Sequence, residues 1–256
     1  GKKADASKAR KEERPRVAMK GAFTSIDNTF LDTKGRSNPT SGCCALVCYL
    51  EPGALWAGNA GDSRAVLVRK KRGVTSVAVS EDQNTNNKAE CYKVSARSKD
   101  PDAVRHNESE ERRRPDSVRR VAGTLMVTRA LGDGYLKRQQ LSQQPYTKYL
   151  PYITGKPKVK RFDVTPADMY LVVASDGVWE HMTGDEVANE VDRIFSDKGR
   201  VGEGEDENPA MQLVDTVIQH AANKQGLQAE ELKKLPAGRH RRTFLDDISV
   251  IIVDLQ

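Results

Sequence analysis

The sequence predicts an α+β fold of layered sheet and helix, on three observations. Short apolar runs bounded by turn residues gather in the first and last parts of the chain. Segments with helical apolar spacing stand before and between those runs. The turns between neighbouring runs are tight, which favours antiparallel pairing. A length of 256 residues suits one large domain with its own core or two small ones, and the sequence holds no internal repeat.

In order, Lys11 to Leu31 reads as a helix whose buried stripe is Ala22, Ile26 and Phe30, with Phe23 and Leu31 nearby. Asp32 to Pro39 is a polar loop. Cys43 to Leu50 and Ala54 to Ala60 are apolar runs split by the turn signal Glu51-Pro52-Gly53. Arg64 to Val68 and Val74 to Val79 continue the meander. Lys88 to Arg120 is strongly polar and reads as exposed loop without a core, with residues 95–120 as a polar insert. Leu125 to Leu131 is briefly apolar, and Tyr135 to Val159 reads as irregular, with Pro145, Pro151 and Pro157. Tyr170 to Ala174 is a buried strand. Thr183 opens a helix through a capping box with Glu186, and Val187, Val191 and Ile194 form its apolar stripe. Ser196 to Asn208 is a loop. Pro209 to Lys224 is a helix burying Leu213, Val214, Val217 and Ile218, and Ile248 to Leu255 is the closing strand.

Composition narrows the functional classes. Hydrophobic residues make up 37% and charged residues 30%, as in a soluble protein. No apolar run is long enough to span a bilayer, and the first residues lack the apolar core of a secretory signal. Much of the net charge of +6 comes from Gly1 to Lys20, with eight Lys/Arg against three Asp/Glu. That stretch, a basic helix or arm, carries no aromatic side chain for base stacking, so nucleic acid is not the expected partner. Cys43, Cys44, Cys48 and Cys91 lack zinc spacing and read as small buried thiols of a reducing compartment. His106, His181, His220 and His240 have no metal spacing either and read as surface or packing residues.

Asp62 lies in a turn between two strands, Asp176 ends a strand, and Asp246 begins the last strand. If the strands of Asp176 and Asp246 are antiparallel neighbours, both carboxylates leave the same sheet edge. Clustered carboxylates repel and need neutralising, which hard divalent ions do well. Each acid alone reads equally well as turn chemistry, and Asp163, Asp168 and Asp185 are assigned to turns.

Six segments then resemble, in order, the metal-dependent Ser/Thr protein phosphatases of the PPM type, or protein phosphatase 2C. They are SGCCALV (Ser41 to Val47), GNAGDSRAVL (Gly58 to Leu67), VSEDQNTNNKAE (Val79 to Glu90), GTLMVTRALGDGYLK (Gly123 to Lys137), YLVVASDGVWEHMT (Tyr170 to Thr183) and RHRRTFLDDISVIIVDL (Arg239 to Leu255). Details such as GYLKRQQ are similar to the plant-type and pyruvate-dehydrogenase-phosphatase-like branches. The resemblance implies one phosphatase domain over residues 1–256, a four-layer αββα sandwich of two antiparallel sheets flanked by helices. It implies hydrolysis of phosphoserine and phosphothreonine in a phosphoprotein substrate by a water bridging two Mg²⁺ or Mn²⁺ ions, with a weakly held third ion. By position, Asp176 and Asp246 would bind the catalytic ions, with Gly177 in the same motif, and Asp62 would join Asp176 at the third. Glu180, where many relatives carry Asp, would serve that outer ion through water. Asp133 and Arg129 read as structural, and no side-chain nucleophile is implied.

The family's Asp-Gly-His-Gly-Gly strand, with its bridging Asp and general-acid His, is not among the 256 residues, so the domain is expected to be incomplete at its N-terminus. Gln83 stands where relatives carry His. The protein is expected to be a monomer inside the cell, cytoplasmic or nuclear, with a mitochondrial location left open. The alternative function is a catalytically inactive relative that binds phosphoproteins or a kinase.

Overall fold

The structure is a computed structural model and describes residues 2–106, 118–198 and 208–256. Residues 107–117 of the expected insert and 199–207 of the expected loop lie outside the described residues. The chain forms two compact units, the first from Gly1–Asp62 and Glu81–Phe162, the second from Ser63–Ser80 and Asp163–Gln256.

The second unit carries a four-stranded antiparallel sheet. Its strands are β4 (Arg64–Lys70), β5 (Val74–Ala78), β10 (Asp168–Ala174) and β11 (Val250–Asp254), in the spatial order β11-β10-β4-β5. An early hairpin thus pairs with late sequence. Val66 and Val68 of β4 and Tyr170, Val172 and Ala174 of β10 alternate onto one face. Against them pack Val187, Ala188, Val191 and Ile194 of a helix over Gly184–Lys198, and Leu213 and Val217 of another over Pro209–Gln225. Burying each such aliphatic chain contributes roughly 1.5–3 kcal/mol. The capping box forms as expected. Glu186 accepts from the Thr183 N–H and hydroxyl at 2.7 and 2.8 Å, and the Thr183 hydroxyl accepts from the Glu186 N–H at 3.3 Å.

Two acids assigned to turns have larger structural roles. Asp168 has a side chain 0% exposed and accepts from Arg69 at 2.7 and 3.2 Å and from Thr165 at 2.8 and 2.9 Å. Asp185 accepts from the Ser76 N–H and hydroxyl, tying the start of its helix to β5. Short helices at Ala229–Lys234 and Arg239–Arg242 precede β11.

The first unit holds a long helix, α1 (Lys2–Thr33), and a three-stranded sheet in the order β2-β3-β9. These strands are β2 (Ala45–Glu51), β3 (Ala54–Ala60) and β9 (Lys158–Asp163). β9 lies in polar sequence after an irregular segment, where no apolar alternation marks it. The expected stripe of α1 is one position out of phase. Met19, Phe23, Asp27 and Leu31 are buried, whereas Ala22 is exposed and Ile26 is 57% exposed. A charged residue in the stripe makes an apolar-only reading choose the wrong face. Asp27 is accommodated because Lys137 donates to both its oxygens, at 2.7 and 2.8 Å, and the Gly132 N–H donates at 2.8 Å.

The expectation of a coreless polar loop over 88–120 is corrected by what flanks residues 107–117. Asn87 caps a helix, α2 (Lys88–Ser98), by accepting from the Ala89 and Glu90 N–H groups. Two short strands, β6 (Val104–Arg105) and β7 (Arg120–Val121), then pair antiparallel. Val94, Ala103, Val104 and Val121 are buried in a cluster with Ala130, Leu136, Tyr152 and Ile153. Polar side chains there face inward to partners: Asp100 accepts from the Tyr152 hydroxyl at 2.7 Å. The thiols are corrected too, since Cys43 is exposed and the other three are only partly buried; none forms a disulfide among the described residues. Among the described residues, no helix is long and apolar enough to cross a membrane.

Candidate metal-binding edge

β10 pairs with β11 on one side and β4 on the other, so Ala174 lies opposite both Val250 and Arg64. The antiparallel pairing of the strand before Asp176 with the last strand is therefore present, but Asp246 does not begin that strand, which starts at Val250. Ser175 fastens the two chain segments beyond the ladder. Its N–H donates to Ser249 O at 3.0 Å, its hydroxyl donates to Asp247 O at 3.1 Å, and that hydroxyl accepts from the Ser249 N–H at 2.9 Å.

Asp176 opens a single helical turn, Asp176–Trp179, and accepts from the Gly177 N–H at 3.0 Å. Gly177 is required by close approach: a Cβ there would lie 2.7 Å from Asp247 O. Trp179 is partly buried against the core of the second unit. Its indole N–H donates to Ala174 O at 3.1 Å, and Arg64 lies 5.1 Å over its ring. Glu180 is exposed, and its carbonyl accepts from Lys224.

Asp246 is engaged. Arg242 donates to its two oxygens at 2.8 and 3.1 Å, and the Asp247 N–H donates at 2.7 Å. Burial alone would raise this carboxyl's pKa, but the guanidinium and the N–H outweigh burial and hold it below the usual range. Sequence reasoning missed Arg242, although the i,i+4 spacing of Arg242 and Asp246 in RRTFLD is a legible helix-pair signal.

Asp62 belongs to the first unit, where it accepts from the Cys44 thiol at 3.2 Å. Its turn is built around Gly61, which has a φ of +131°. A Cβ at Gly61 would lie 2.4 Å from Cys44 Sγ, so the turn leaves no room for a side chain. Gln83 braces the turn, accepting from the Gly61 N–H at 3.1 Å and donating to Asn59 O at 3.0 Å. The residue that departs from the relatives' His is thus a satisfied buried amide.

Arg129 forms a fork with Glu90, with two contacts of 3.0 Å, and donates to Lys156 O. Burial would raise the Glu90 pKa, yet Arg129 and Lys93 hold it down at about 2. Asp133 sits in a left-handed conformation (φ 49°) just after a strand, β8 (Leu131–Gly132), that pairs with β1 (Gly42–Cys43). Burial pushes its carboxyl up to about 6 against the pull of Lys137.

The oxygen donors at the β10–β11 edge suit Mg²⁺ or Mn²⁺ in type. They make an incomplete set, because among the described residues no three His, Cys, Asp or Glu side chains are grouped to hold a metal ion.

Solved structures define the fold first. The fold matches a serine-threonine phosphatase 2C from Toxoplasma gondii with a TM-score of 0.61 at 17% identity, covering 94% of this chain and 68% of that one. It also matches a C. elegans sex determining protein with a TM-score of 0.64 at 14% identity, covering 93% and 46%. Both are α+β folds with antiparallel sheets, as here. The sequence profile named Protein phosphatase 2C matches residues 2–226, and the chain belongs to that family. Probable protein phosphatase 2C 46 of Arabidopsis thaliana is 32% identical, over 93% of this chain and 62% of its own length. Probable protein phosphatase 2C 64 of the same plant is 34% identical, over 92% and 58%. The chain thus spans about three fifths of the length of these curated relatives.

Proposed function

We propose that the intact protein is a metal-dependent phosphatase that removes phosphate from phosphoserine and phosphothreonine in protein substrates, acting as a monomer inside the cell. The observation that carries this reading is the antiparallel β10–β11 pairing in a chain of the protein phosphatase 2C family, with Asp176 following β10 and Asp246 in the segment that leads into β11. Asp176 and Asp246 would hold Mg²⁺ or Mn²⁺, with Gly177 and Glu180 beside them, and Asp62 keeps the third-ion role that the resemblance gives it. Bound there, the ions would supply an activated water and offset the charge of the phosphoryl group. The chain's own residues prepare that edge. Ser175 fixes the spacing of the two segments, and Gly177 lets them approach. Arg242 neutralises Asp246 until an ion takes its place. Asp133 and Arg129 act as supports of the first unit.

A Mn²⁺-dependent assay on a phosphoserine peptide, comparing the intact protein with Asp176→Asn, tests the reading. Activity should fall on the order of 100-fold, and equal activity in both forms would sink the metal role. The bidentate Arg242–Asp246 pair favours a second reading, an inactive relative that binds phosphoproteins or a kinase. That reading expects no turnover in the intact protein and no gain in Mn²⁺ affinity from Arg242→Ala.

A further inference from the structure

The first unit contains a cavity of about 730 Å³, within the range of small-molecule sites. Six cationic side chains line it: Lys93, Arg97, Arg129, Lys137, Arg138 and Lys156. Four of them are matched to acids, since Glu90 serves both Lys93 and Arg129, Asp27 serves Lys137, and Asp32 serves Arg138. Arg97 and Lys156 have no carboxylate partner among the described residues. Arg97 is half-buried and donates to Tyr152 O, and most of its other N–H donors have no hydrogen-bond partner among the described residues. Burial and the nearby Arg129 charge disfavour its ionised form, and the Glu90 charge offsets only part of that. A half-buried guanidinium with no carboxylate bonded to it among the described residues is costly to keep unless an anion completes it. The rest of the wall is mixed: Leu31, Ile153 and Tyr92, the last 77% exposed, give it apolar area, and Asn28, Thr154 and the Lys137-bound Asp27 also line it.

We propose that this cavity binds a small phosphomonoester, with its phosphoryl group against Arg97 and Lys156 and its apolar or aromatic body against Leu31, Tyr92 and Ile153. Two unmatched cations suit a dianion better than a single carboxylate does. The planar fork of Arg97 matches two phosphoryl oxygens, and Lys156 adds a point charge. The apolar part of the wall gives the ligand's body a place to leave water.

Titration calorimetry on the 256-residue chain in buffer with EDTA tests the proposal, with phenylphosphonate as a stable probe and inorganic phosphate for comparison. One phenylphosphonate should bind per chain, more tightly than inorganic phosphate. Arg97→Gln should weaken it by about tenfold or more. Because Arg97 also holds Tyr152 O, Lys156→Gln at an exposed position serves as a second variant, with an expected loss of about threefold or more. Absence of binding, equal binding of inorganic phosphate, or undiminished binding in both variants would overturn the assignment.

Discussion

In the second unit the buried residues of β4, β10 and the two long helices are almost all aliphatic, and they sit on elements of regular period. In the first unit, buried acids lie among the aliphatic residues: Asp27, Glu90, Asp100 and Asp133 are all buried. Three of them are held by named partners, namely Lys137, Arg129 with Lys93, and the Tyr152 hydroxyl. The difference follows from backbone regularity. A sheet face and a helix stripe satisfy their own backbone groups and leave only apolar area to bury. Irregular segments such as residues 118–157 leave carbonyls and N–H groups that charged side chains must reach. Arg129 on Lys156 O and Lys137 on Ala130 O are two such reaches.

If the first unit rests on ion pairs, Glu90→Ala should be the most damaging of four changes. It strands Arg129 and should cost about 4 kcal/mol, measured by urea unfolding, with lost amide protection in α2. Leu213→Ala tests the second unit, where an aliphatic cavity should cost about 3 kcal/mol. A Glu90→Ala loss below that of Leu213→Ala would break the comparison.

The acids of the first unit also set its response to pH. Asp133 has its pKa raised to about 6 from an ordinary 3.8, so its folded state prefers the proton. Its contribution is present below about pH 4 and is lost as pH rises to about 6, a loss on the order of 2 kcal/mol. Asp133→Asn should flatten that slope in unfolding experiments between those values. Glu90 acts in the opposite sense: held at about 2 against 4.5, it stabilises above pH 4.5 and loses that contribution as pH falls toward 2. The smallest expected effect is Thr183→Ala, which removes half of a capping box in the second unit and should cost about 1 kcal/mol by thermal unfolding.

The second unit is legible from sequence wherever its period is clean. The helix start at Thr183, the stripe through Val191 and Ile194, and the strand from Tyr170 to Ala174 all fall where expected. The first unit is legible in its hairpin, β2 to β3, and in the existence of the helix α1. The buried face of α1 is masked because Asp27 belongs to it, and α2 is masked because its inward residues include Glu90 and Ser98. At the candidate edge, Asp176 and Asp246 are visible as acids flanking strands. The Ser175 latch is not, and the engagement of Asp246 by Arg242 shows only as an i,i+4 spacing.

Local chemistry let the sequence by itself determine the class of fold, the order of the family motifs and the acids that the resemblance proposes as metal ligands. Periodicity, capping and turn residues act over a few positions and need no partner far along the chain. Only the tertiary structure decided which charges are buried, which hairpin joins which late strand, and which cations of the first unit remain unmatched. Those outcomes depend on side chains brought together from distant sequence, as with Arg69 and Asp168 or Asp27 and Lys137. A charge's meaning is fixed by the partner that reaches it, and that partner is chosen by the fold.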